Sequence, residues 1–178
     1  LHRLIRRQRQ MCIRDRMDSK AQFVQEDAVR PQILKESDVI ISDLPVGFYP
    51  NDEIAKRYKV ASSDEHTYAH HLLMEQSLKY LKKDGIAVFL APVSLLTSKQ
   101  SDLLKAWLKD YADVIAVITL PEPIFGNAAN AKSIFVLKKQ AEHTPETFVY
   151  PLADLQSREV LTDFIEKFKK WNVENMIF

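Results

Sequence analysis

Asp38-Val39-Ile40-Ile41-Ser42-Asp43-Leu44-Pro45-Val46-Gly47-Phe48-Tyr49-Pro50 is the stretch on which the reading of this chain turns. It begins with Val39-Ile40-Ile41, a continuous β-branched run. Bounded by turn formers, such a run has the pattern of a fully buried strand in a parallel sheet. The run stops at Asp43-Leu44-Pro45. Pro45 fixes its own φ and pushes Leu44 into an extended conformation. Gly47 permits a sharp bend. The expectation is a central strand, Val39 to Ser42, with the Asp43 carboxylate at its C-terminal tip. In open α/β sheets that tip is where ligands bind. The alternative for Asp43 is a cap on the turn at a strand end.

Outward from this stretch, apolar runs at 86–91, 114–118 and 133–137 read as further strands, the first two closed by Pro92 and Pro121. Between them lie helical patterns. Ser62-Ser63-Asp64-Glu65 reads as a capping box that opens a helix running to about Lys83 and ended by Gly85. Residues 98–111 form a second helix, with Leu103, Leu104, Trp107, Leu108 and Tyr111 on one face. Strands alternating with helices imply a parallel sheet with right-handed crossovers, an α/β doubly wound fold. Only the loop 122–131 separates the strands at 114–118 and 133–137, so these two are expected to be antiparallel neighbours. Residues 147–150 read as an added edge strand. Residues 156–171 form an amphipathic helix, read as docked on the sheet, with partner binding as the alternative.

A single domain is expected at 178 residues, and no run is long and apolar enough to span a membrane. Cys12 is the only cysteine, which rules out an internal disulfide framework and fits a reducing cytoplasm. Residues 1–16 stand apart. Six arginines face Asp15 alone, and Met11-Cys12-Ile13-Arg14-Asp15-Arg16 reads as a foreign, adaptor-derived sequence; a nucleic-acid-binding arm is the alternative. Setting that segment aside leaves 17–178 with 19 Lys and Arg against 23 Asp and Glu, a net charge of −4. Bulk charge therefore gives no support to a nucleic-acid reading.

The motif and the order of elements do give such support. Asp43-Leu44-Pro45 resembles the catalytic motif of the amino-group DNA methyltransferases, in which Asn, Asp or Ser precedes Pro-Pro and an aromatic residue. The whole order resembles the adenine-N6 DNA methylases, including the modification subunits of type I restriction systems. It runs from the strand at Asp43 through Leu78-Lys79-Tyr80-Leu81-Lys82-Lys83-Asp84-Gly85, Ala91-Pro92 and Leu120-Pro121 to Ile124-Phe125. The wording Ser42-Asp43-Leu44-Pro45-Val46-Gly47-Phe48-Tyr49-Pro50-Asn51-Asp52 is similar to the YtxK-like methyltransferases of Gram-positive bacteria.

This resemblance implies a Rossmann-like methyltransferase sheet with a terminal antiparallel strand. It implies S-adenosylmethionine as cofactor and an adenine amine of DNA as methyl acceptor. Asp43 and the Leu44 carbonyl would hold the amine, with Pro45 stiffening the turn. Val46, Phe48 and Tyr49 would lie against the base. Leu44 replaces the family's first proline, and Val46 stands where its aromatic should be, so Phe48 or Tyr49 is expected to supply the ring. The family places an acidic residue on the cofactor's adenine, and Asp27 fits that role; a helix-capping Asp is the alternative. The family's glycine-rich turn has no counterpart here, because the glycines are Gly47, Gly85 and Gly126. The chain is therefore expected to be the C-terminal portion of a longer enzyme. The rival functional class is a binding or regulatory module that kept the fold and lost the chemistry. His66 and His70 could share a helix face as metal ligands, but a solvated helix N-terminus is the plainer reading. The loop at 125–130 is read as either substrate-facing or a simple hairpin.

Overall fold

The structure, a computed structural model, describes residues 24, 26–30, 35–139 and 146–175. The basic segment 1–16 lies outside those residues. The described elements are β1 (Ser37–Asp43), α1 (Asp52–Ala55), α2 (Ala69–Lys79), β2 (Leu81–Pro92), α3 (Ser101–Tyr111), β3 (Ala112–Thr119), β4 (Lys132–Lys139), β5 (Phe148–Pro151) and α4 (Arg158–Asn175). The strands form one sheet in the order β1-β2-β4-β3-β5. β1 pairs parallel with β2, β3 pairs parallel with β5, and β4 runs antiparallel to both β2 and β3.

Strand alternation divides the core between two faces. Ala87, Phe89 and Ala91 of β2 pack with Phe135 and Leu137 of β4 against Leu72, Met74 and Leu78 of α2 and Leu104 and Leu108 of α3. The opposite face holds Ile115, Ile118 and Val136, covered by Val160, Leu161, Phe164 and Phe168 of α4. Phe148, Phe168 and Trp171 meet there ring to ring, which fastens β5 to α4. Helices on both sides of a mostly parallel sheet are the expected doubly wound class, and the docked reading of the last helix holds. The edge strand and the antiparallel β3–β4 pair were also expected and are present.

Three expectations need correction. First, β1 is not central among the described strands. It pairs on one side only, with Val39 56% and Ile41 77% exposed. The β-branched run reported a strand correctly, but a run cannot report how many neighbours that strand has. Ile40 turns to the α2 and α3 face and packs on the core there, whereas Val39 and Ile41 point to the other face, at the end of the sheet away from α4. Second, the antiparallel strand is not at a sheet edge: β4 is inserted between β2 and β3.

Third, the helix expected from Ser62 to Lys83 is only Ala69–Lys79. Ser62 does accept a hydrogen bond from the Glu65 amide at 3.4 Å, but this closes a turn and opens no helix. The following segment is extended because it pairs with the motif loop: the Tyr49 amide donates to the Thr67 carbonyl at 2.8 Å, and the Ala69 amide to the Gly47 carbonyl at 2.9 Å. At the other end, Lys82, Lys83, Asp84 and Gly85 form a bulge inside β2. Ser37 pairs with Leu81 and Val39 with Ile86, so one strand advances two residues while the other advances five. Asp84 takes the left-handed conformation there, with φ 61°. Gly85 is required by close approach, since a Cβ would lie 2.8 Å from both Leu81 Cγ and the Lys82 carbonyl.

Candidate functional site: the tip of β1

β1 ends at Asp43, but its ladder continues one residue further, the Leu44 amide donating to the Leu90 carbonyl at 2.8 Å. That bond and the full burial of the Leu44 side chain hold the backbone rigid where the chain leaves the sheet. The Leu44 carbonyl and the exposed Asp43 carboxylate then face a common point. A nitrogen sits at that point. Lys132 Nζ donates to Asp43 Oδ1 and, at 2.8 Å, to the Leu44 carbonyl oxygen. Lys132 is the first residue of β4 and lies opposite Pro92, the last residue of β2. The antiparallel insertion of β4 thus brings a lysine to the tip of β1 from 89 positions away in the chain. Sequence reasoning missed it, and no local pattern could have found it. Its one visible signal was its position directly after the loop 122–131, which holds two short 3₁₀ turns, Glu122–Phe125 and Ala128–Asn130.

Beyond Asp43 the motif residues part company. Pro45 and Val46 are exposed. Gly47 has φ 117° and turns the chain so that Phe48 and Tyr49 lie along the segment before α2. Phe48 is 52% exposed and stacks on Tyr68, with ring centroids 4.6 Å apart and planes 13° apart. Tyr68 stacks in turn on His70 at 5.0 Å. Tyr49 goes inward. It is 7% exposed, and its hydroxyl donates to Asp27 Oδ2 at 2.6 Å. Burial first, then the Asp27 carboxylate, pushes the Tyr49 phenol up to about 12.

Asp27 sits in a turn rather than at a helix start. Its Oδ1 accepts from the Val29 amide at 3.1 Å, its carbonyl accepts from the Arg30 amide at 3.0 Å, and Arg30 Nε lies 3.7 Å from Oδ2. Both carboxylate oxygens are therefore engaged within the protein.

The histidines do not group as metal ligands. His66 lies outside the helix, exposed, and its Nδ1 is 2.8 Å from Asp52 Oδ1, a bond that raises its pKa. His70 and His71 are buried instead of solvated. His70 Nδ1 lies 3.3 Å from the Pro45 carbonyl. A carbonyl only accepts, so the proton of that bond belongs to Nδ1. Nε2 is left as a buried acceptor without a protein partner. Burial is the main cause that pulls both imidazoles down to about 4. Neutral His70 thus braces the Pro45 carbonyl from behind without adding charge to the site. No group of His, Cys, Asp and Glu among the described residues is arranged to hold a metal ion. No helix among them is long and apolar enough to cross a membrane.

The site can do one thing directly: two fixed acceptors, one anionic, can hold two N–H bonds of a single nitrogen. Known proteins resemble this chain in sequence and in fold. The family model described as "N-6 DNA Methylase" matches residues 7–177. The protein YtxK of Bacillus subtilis, itself uncharacterised, is 37% identical over 158 residues, 87% of this chain and 48% of its own. A Listeria monocytogenes structure described as a class I S-adenosylmethionine-dependent methyltransferase is 30% identical, with a TM-score of 0.73 over 80% of this chain and 45% of its own. A modification subunit of a type I restriction enzyme from Vibrio vulnificus shares the fold, with a TM-score of 0.61 at 16% identity over 76% of this chain and 32% of its own. The chain spans about half the length of the first two relatives.

Proposed function

The chain belongs to the N-6 DNA methylase family, and from that premise we propose that the protein containing it methylates the exocyclic amine of adenine in DNA. The observation that carries this reading is the convergence of Asp43 and the Leu44 carbonyl on one nitrogen, that of Lys132. An adenine amine offers two N–H bonds and a lone pair delocalised into the ring. Accepting both N–H bonds from one side draws that lone pair out of conjugation and aims it away from the acceptors. Full deprotonation is not required. Most of the acceleration comes from position. Asp43 then takes the proton that the nitrogen sheds once it is alkylated. Pro45 and the buried Leu44 side chain keep the two acceptors in place. Phe48, exposed and already stacked on Tyr68, offers a ring face to a base taken out of its helix. Val46, half-exposed beside it, would line the edge of that platform.

S-adenosylmethionine supplies the methyl group on a sulfonium. The residues here fit the acceptor side of such a site and complete only part of the cofactor's side. Asp27 is the candidate for the cofactor's adenine edge, and its carboxylate would have to give up or share the Tyr49 hydroxyl or the Val29 amide. The rival reading, a module that binds without chemistry, is favoured by one observation: an ion-paired lysine holds the acceptor atoms. Methyl transfer decides between them. The whole protein, given S-adenosylmethionine tritiated on its methyl group, should label DNA, and Asp43→Ala should lose that labelling at least a hundredfold while binding the cofactor as before. An interaction made mainly in the transition state lowers turnover more than ground-state binding. Labelling at the wild-type rate in Asp43→Ala would overturn the role of Asp43.

A further inference from the structure

We propose that Lys132 is the resting occupant of the acceptor site and that an incoming amine must displace it. The inference rests on the methyl-transfer reading, because it concerns the two atoms that reading assigns to the substrate. Lys132 Nζ takes both of them, Asp43 Oδ1 and the Leu44 carbonyl. No ordinary surface pair does this. The Lys132 side chain is 14% exposed and its Asp43 partner 67%, so the lysine lies beneath the carboxylate and fills the inner side of the site. The Lys132 ammonium is also near enough to help depress His70, whose ring braces the Pro45 carbonyl.

An ammonium mimics the target in the feature that matters here: it presents N–H donors to two acceptors at once. It differs in having no lone pair to offer. A lysine held this way keeps the carboxylate and carbonyl satisfied while no substrate is present. It also sets a selection rule. A group with only one N–H, or none, cannot replace both bonds and leaves one acceptor unpaired, whereas a primary aromatic amine replaces both.

The backbone of Lys132 is fixed, paired with Pro92 at the start of β4. Displacement would swing its four-carbon stem and the charge outward into solvent. Occupancy by the lysine reduces apparent affinity for the amine by the fraction of time the site is free. A site occupied for 90–99% of the time costs about ten- to a hundredfold.

The test is chemical footprinting of lysines in the whole protein by reductive methylation with isotope-labelled formaldehyde, read by mass spectrometry. Lys132 should react at least tenfold more slowly than the 79%-exposed Lys170. Asp43→Asn should remove that protection. Saturating adenine-containing duplex DNA without N6-methyladenine should also remove it, whereas the same duplex carrying N6-methyladenine at every adenine should do so less. In parallel, Lys132→Met, which keeps the unbranched stem, should lower KM for DNA about tenfold. Wild-type Lys132 that reacts as fast as Lys170, or protection that unmethylated DNA leaves unchanged, would overturn the proposal. Displacement by DNA with no methyl incorporated by either protein would uphold the occupancy and sink the methyl-transfer reading. Methyl incorporation with Lys132 still protected would do the reverse. If Lys132→Met fails to fold, the wild-type footprint with and without DNA still decides.

Discussion

Acid should destabilise this fold through its two buried histidines, and His71→Leu should remove a defined share of that effect. Burial is the largest cause that brings His70 and His71 down to about 4; the Lys132 charge adds to it for His70, and the neighbouring His70 adds to it for His71. The Pro45 and Leu95 backbones oppose the shift. In the unfolded chain a histidine titrates near ~6.5. Between these values the unfolded chain binds more protons than the folded one. Stability therefore rises with pH across the window, and is lost as pH falls from about 6.5 toward 4. Each histidine contributes at most about 1.4 kcal/mol per pH unit, about 3 kcal/mol over the window. That is a large part of the roughly 5–15 kcal/mol that holds a domain together.

His71 is the cleaner of the two to remove. Its ring nitrogens make no hydrogen bond of ordinary geometry, only a loose approach to the Leu95 backbone, and it is fully buried. Leucine, somewhat similar in volume, loses no hydrogen bond there and no longer buries two polar nitrogens. At neutral pH the variant should be as stable as wild type, or more stable by about 1 kcal/mol. Urea unfolding followed by tryptophan fluorescence, repeated from about pH 7.5 to about 4.5, should show the steep part of the wild-type curve shallower in His71→Leu by up to ~1.4 kcal/mol per pH unit. Carboxylates that titrate in the same range are common to both proteins and cancel. Equal slopes, or an NMR titration showing folded His71 protonating near its unfolded value, would refute the reasoning.

Two further perturbations test the fold. Gly85→Ala places a methyl group 2.8 Å from a backbone carbonyl in the β2 bulge, so it should lower stability by about 1–3 kcal/mol in urea titration; an unchanged midpoint would mean that the bulge yields without strain. Ile41→Lys puts a charge on the one-sided strand β1, where Ile41 is 77% exposed, and should raise the soluble yield of this chain expressed alone and reduce its light scattering. No change in either would show that the β1 edge does not drive self-association.

Most of the strands, and the helix formed by α4, were legible in the sequence because each is announced by residues close together. The apolar runs of β2, β3 and β4 end at prolines or meet short loops. The stripe of α4 repeats at the helical period, from Val160 and Leu161 to Phe164 and Phe168. Where local signals compete, reading failed. Ser62 and Glu65 have the chemistry of a capping box, yet the residues after them are drawn out to pair with Gly47 and Tyr49, and the helix waits until Ala69. Gly85 has the chemistry of a helix stop, yet it is a close contact inside a strand. His70 and His71 look like polar residues at a helix start, but the motif loop folds over them.

By itself the sequence determined that a carboxylate would end a strand, that proline and glycine would turn the chain immediately behind it, and that helices would alternate with strands around it. These are short-range steric and hydrophobic facts, settled within a few residues of each position. Only the tertiary structure decided which strands are neighbours. It set β1 at the edge with Val39 and Ile41 bare, and it inserted β4 beside β2. That insertion carries Lys132 to Asp43. Strand order depends on the global competition among burial, crossover handedness and loop length, and no single segment encodes it. The contact that gives this site its character, an ammonium between Asp43 and the Leu44 carbonyl, exists only because two residues far apart in the chain begin and end strands at the same end of the sheet.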